Sequence, residues 1–146
     1  VAVTFEVKGL RELGEKMRTL GEKKALGAAR SATSAAATVI KKRAKAKILG
    51  NPSVQSRSLL ESVIVKKVPK GETDLTSEHM VTVRGRGRMV KRKGKKVKQS
   101  EAPYANIVEF GSIKMDAEPF LGPALEGGQQ EAIEAMVERL RKRLFT

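Results

Sequence analysis

From Glu22 to about Leu49, the residues Leu26, Ala29, Thr33, Ala36, Ile40 and Ala44 recur at intervals of three and four, the period of one helix face. A helix of that length constrains everything else, because its seam must be covered by other elements. The seam is mostly small side chains, which lets a partner helix approach closely. Lys41, Lys42, Arg43, Lys45 and Lys47 crowd its C-terminal end, where cations suit the helix dipole by a few tenths to about 1 kcal/mol each.

Before this helix, Val3, Phe5 and Val7 alternate with polar residues as a half-buried strand does, and Gly9 breaks the pattern. Leu10, Leu13, Met17 and Leu20 then predict a short amphipathic helix ending near Gly21. After a turn at Gly50-Asn51-Pro52-Ser53, one helical turn is expected over Ser56 to Glu61. Strands follow at Ser62 to Val68 and at His79 to Val83, joined by the polar connection Lys70 to Asp74. Ile133, Met136, Val137, Leu140 and Leu144 give a last helix from Gln129, with Gly127-Gly128 expected to break or kink it away from Pro119. The whole predicts one α+β domain over residues 1–146. Its small antiparallel sheet, Val3–Val7 with Ser62–Val68 and His79–Val83, is covered by the long helix and the C-terminal helix.

With 3% aromatic residues and no Trp, the core has to come from Val, Ile, Leu, Met and Ala. Such a core is thin, so contacts between subunits are expected to add burial. The absence of Cys excludes disulfides and thiolate metal sites and fits a reducing cytoplasm. No apolar run approaches the roughly 18 residues of a membrane span, and a soluble chain without a signal peptide or membrane partner is expected.

The net charge is +14, unevenly spread. Residues 23–60 carry nine Lys/Arg and no acid, whereas residues 99–138 carry eight acids against Lys114 alone. The segment Arg84, Arg86, Arg88, Lys91, Arg92, Lys93, Lys95, Lys96, Lys98 places nine cations in fifteen positions with no acid between them. It has three Gly and no core-forming run to pack on itself, so it is expected to be a mobile arm, either an extended loop or a hairpin. Charge runs are commonly solvated faces; the functional alternative is a basic surface meeting nucleic acid or the acidic surface of a neighbouring copy.

Chemistry is scarce. His79 is the only His and lies in a predicted strand, where a structural or surface role is expected. No phosphate loop and no Ser beside a usable base is present. Glu6-Val7-Lys8 and Glu22-Lys23-Lys24 imitate half of a metal-dependent nuclease site, but no Asp precedes either. Asp116 and Glu118 flank Ala117 and could face a cation, yet two carboxylates without further ligands make no site. No catalytic residue, cofactor or metal is assigned, and the chain is read as a non-enzyme.

The densest stretch is Tyr104 to Glu126, YANIVEFGSIKMDAEPFLGPALE. Tyr104, Ile107 and Val108 share a helical face that Gly111 ends, and Pro119 is expected at the first position of the next helix, ahead of Phe120, Leu121, Ala124 and Leu125. Tyr104, Phe110, Pro119, Phe120 and Leu121 are expected to be core or interface anchors. Glu109 is expected either to pair with a Lys or Arg at the helix end or to make a contact between subunits.

Tyr104-Ala105-x-x-Val108-Glu109-Phe110-Gly111, a polar loop, and Pro119-Phe120-Leu121-x-Pro123-Ala124-Leu125-Glu126 together resemble the signature of the tail-component proteins of long-tailed bacteriophages, also called tail-completion or head–tail joining proteins. The likeness extends to the layout of nearly the whole chain, including Gly9, Leu10 and Leu13; the basic segment from Arg84 to Lys98 is a departure from it. The resemblance implies a structural virion protein, assembled in the host cytoplasm and resident in the tail or neck. It would form a homo-oligomeric ring, by analogy a hexamer, with other neck and tail proteins as partners and genome DNA passing through the channel. The alternative is a basic nucleic-acid-binding protein. That reading accounts for the charge but gives the two signature blocks no role, and the chain lacks aromatic platforms for single-strand stacking.

Overall fold

The computed structural model describes residues 9–51, 57–68, 77–84, 88–99 and 102–145. In chain order these form α1 (Leu10–Thr19), α2 (Glu22–Leu49), α3 (Arg57–Ser62), β1 (Val63–Lys67), β2 (His79–Val83), β3 (Arg88–Arg92), β4 (Lys95–Gln99), α4 (Ala102–Phe110) and α5 (Leu121–Leu144). The fold is α+β, as the periodicities predict. The predicted strand Val3–Val7 and the connection Lys70–Asp74 lie outside the described residues.

Strand β1 pairs with β2 in antiparallel register, Val63 opposite Val83 and Val65 opposite Val81. The two long helices α2 and α5 pack along each other, and α2 also lies against β1 and β2. The core sits at the C-terminal half of α2. Ala44 and Ile48 meet Leu59 of α3, Val63 of β1, Ala105 and Val108 of α4, and Phe120 and Ala124 at the start of α5. The two signature blocks thus supply four of these eight buried residues, a large share for so short a stretch.

The buried line of α2 is Ala28, Ala32, Ala37, Ile40, Ala44 and Ile48. It agrees with the predicted seam only in the C-terminal half; Leu26, Ala29, Thr33 and Ala36 are half-buried. The reason is that α2 serves two neighbours, α5 and the sheet, so its covered arc is broader than one stripe.

Two expectations are corrected. Gly127 and Gly128 do not break α5, which is continuous through them. Gly128 is instead the point of helix contact: a Cβ there would stand 2.7 Å from Arg43 Cδ and 2.8 Å from Ile40 Cδ1. Tertiary packing along α2 outweighs the roughly 1 kcal/mol helix penalty of each glycine. Pro119 is not the first helical residue; Phe120 is the N-cap and α5 begins at Leu121. Of the two forms expected for the basic segment, extended loop or hairpin, it takes the hairpin. β3 and β4 form an antiparallel hairpin, Lys91 opposite Lys96 and Arg92 opposite Lys95. Lys93 and Gly94 between them have φ of 47° and 78°, the two left-handed residues that a tight hairpin turn requires.

Candidate functional site

The signature stretch folds into a corner between α4 and α5. Gly111 closes α4: its φ is +79° and its N–H donates to Ile107 O at 2.7 Å. A Cβ at Gly111 would stand 3.0 Å from Ala117 N and 3.2 Å from Met115 O, so the corner needs glycine on two counts. A tight turn between Ser112 and Met115 follows, with Ser112 N–H donating to Met115 O at 2.7 Å. The chain then returns beside α4, where Glu118 N–H donates to Val108 O at 2.7 Å.

Glu109 holds the corner shut. Its carboxylate accepts the backbone N–H groups of Phe120 at 2.8 Å, Leu121 at 3.0 Å and Gly122 at 2.9 Å. These are the donors that a helix start leaves without partners inside the helix, and Pro123, next in the first turn, has none to offer. One side chain from α4 therefore satisfies the opening of α5, and its negative charge sits at the positive end of the helix dipole. Gly122 leaves room, since a Cβ there would come within 3.4 Å of Glu109 Oε1. The expected pairing of Glu109 with a Lys or Arg is replaced by this amide cradle.

The anchor candidates of the signature divide. Phe120 is buried and Tyr104 and Leu121 pack half-buried on the core, whereas Phe110 is 80% exposed. Ile113, on the turn after α4, is also fully exposed. Of the predicted face of α4, Val108 is buried but Ile107 is at the rim, and Ala105 takes the inner place. The corner thus projects two large apolar side chains from a backbone fixed by Gly111 and Glu109.

The carboxylates considered as a cation site part company. Glu118 accepts a hydrogen bond from Asn51 Nδ2 at 2.6 Å, tying the end of α2 to the corner, and Asp116 is exposed. No group of three potential metal ligands occurs among the described residues. His79 Nδ1 lies 2.9 Å from Thr33 Oγ1, a bond between β2 and α2. It lies on the wall of an apolar groove of about 870 Å³ between α2, β2 and α5, lined among others by Ala36, Ile40, Leu125, Ile133 and Met136.

The basic and acidic segments meet within the subunit. Arg43 Nε of α2 is 2.8 Å from Glu131 Oε2 of α5, across Gly127 and Gly128. Of the arm, Arg84, Lys91, Lys93, Lys95 and Lys96 are exposed. Arg88, Arg92 and Lys98 have strand backbones within the hairpin, and Arg86 lies outside the described residues. Neither β3 nor β4 has extensive contact with any other element.

The Glu109 cradle was open to sequence reasoning. A Glu two residues before a helix-ending Gly, followed about ten residues later by Phe-Leu-Gly-Pro, offers an acceptor of the right length to a helix start that contains its own proline. Comparison with protein-family models, curated proteins and solved structures finds no significant match.

Proposed function

We propose that the chain is a structural virion protein of a long-tailed bacteriophage that forms a ring at the head–tail junction or the top of the tail. The observation that carries this reading is the corner itself. The two blocks on which the resemblance rests are joined through Glu109, and together they hold Phe110 and Ile113 out into solvent. Exposed large apolar residues on a rigid support are what a subunit contact uses as anchors. A thin, aromatic-poor core supports the same reading, because burial between copies adds to what one chain supplies.

Purified protein examined by sedimentation velocity and negative-stain electron microscopy is expected to form closed rings. An antibody against the chain is expected to decorate virions at the neck. A protein that stays monomeric at all concentrations and labels no part of the virion overturns the proposal.

A further inference from the structure

The β3–β4 hairpin carries seven cations and no acid over residues 88–99. Its register sets Lys91 directly opposite Lys96 and Arg92 opposite Lys95. Directly opposed residues of an antiparallel pair have Cβ atoms about 4.5–5.5 Å apart, and like charges there destabilise the pair. Lys91, Lys93, Lys95 and Lys96 are all exposed, and no other element packs extensively on the hairpin to bring acids to it. Among the described residues, the fold thus holds a dense positive charge at fixed spacing with no acid-bearing element packed extensively on it.

Two anionic partners come into question, an acidic face of another copy or a nucleic acid. Most of the described acids from α4 through α5 are engaged within their own chain: Glu109 with three amides, Glu118 with Asn51, Glu131 with Arg43, Glu134 with Gln130 and Glu138 with Lys142. Dimensions favour duplex DNA. A five-residue strand spans about 17 Å. Over that length B-DNA presents on the order of ten phosphates, and its major groove, about 12 Å wide, admits a two-stranded ribbon. Residues 88–99 contain no aromatic residue for stacking unpaired bases, which argues against a single strand.

We propose that the β3–β4 hairpin binds the phosphate backbone of duplex DNA without reading its sequence. The inference is independent of the ring proposal, since a monomer would bind through the same four lysines.

The test uses the full chain and a fluorescent duplex of random sequence, with affinity measured by anisotropy over a range of salt. The variant Lys91→Gln/Lys93→Gln/Lys95→Gln/Lys96→Gln is compared with Lys41→Gln/Lys42→Gln/Lys45→Gln/Lys47→Gln, which removes the same charge from α2. The slope of log K against log salt is expected to fall by about 3 to 4 for the hairpin variant, at about 0.9 per lost phosphate contact, and by less than 1 for the α2 variant. Lys95→Gln and Lys96→Gln made singly are each expected to lower it by about 1, which keeps the test valid if the fourfold change disturbs the hairpin. Three results would overturn the proposal: an unchanged slope in the hairpin variants, equal losses in the hairpin and α2 variants, or displacement of the duplex by polyglutamate as readily as by unlabelled duplex.

Discussion

Glu109 Oε2 stands 2.8 Å from the backbone nitrogen of Phe120, so the last turn of α4 serves as the cap of α5. No residue adjacent to α5 in sequence does this work, and the N-cap side chain, a phenyl ring, could not.

Replacing Glu109 by Ala leaves three backbone donors at a partly buried helix start without their acceptor. The expected loss is about 1–3 kcal/mol, read as a lower urea midpoint. Glu109→Gln keeps an acceptor but not the charge, and its midpoint should fall between those of the wild type and the Ala variant. An Ala variant as stable as the wild type would show that the cradle contributes nothing.

Phe120 and Phe110 should respond in opposite ways. Phe120 is 2% exposed, and truncation to Ala is expected to cost about 3–5 kcal/mol. Phe110→Ala, at the exposed corner, should leave the melting curve within about 0.5 kcal/mol of wild type and instead abolish ring formation in sedimentation velocity.

The adjacent glycines of α5 offer a paired comparison. The nearest atom to a Cβ at Gly127 is Arg43 Nη1 at 3.6 Å, ordinary contact, so Gly127→Ala should stabilise by about 0.5–1 kcal/mol through helix propensity. Gly128→Leu must displace Ile40 and Arg43 and should destabilise by about 1–3 kcal/mol in thermal denaturation.

Glu138 accepts from Lys142 Nζ at 2.6 Å along the exposed side of α5. That hydrogen bond, followed by the charge of the same lysine, holds the Glu138 carboxyl below the usual carboxylate range. A depressed folded-state value stabilises the fold above the ordinary carboxylate pKa, and this contribution disappears as pH falls through the lowered value. Carboxyl NMR titration is expected to show Glu138 titrating low, and Lys142→Gln should return it toward the ordinary range. Because both groups are well exposed, Glu138→Gln should not measurably shift the melting temperature.

Periodicity alone located α1, α2, β1, β2 and most of α5, because their faces are covered on one side and repeat accordingly. It misled where one helix serves two neighbours, as at Leu26 and Ala29, and where packing overrules local preference, as at Gly127 and Gly128. For the basic arm, composition left loop and hairpin open, because the β3–β4 strands are defined by backbone pairing and a left-handed Lys-Gly turn rather than by an apolar face. The corner was half legible: Gly111 and the burial of Phe120 followed from the sequence. That Glu109 closes onto α5 depends on a return of the chain that hydrophobic spacing does not encode.

The hairpin lies between the end of β2 and the start of α4, and its strands bond to each other rather than to the core. Variation there is therefore nearly free of thermodynamic consequence for the rest of the domain. Descendants of this sequence could lengthen, recharge or delete the ribbon while α2, α4 and α5 stayed as they are, so a lineage could retune its electrostatic reach without re-evolving a scaffold.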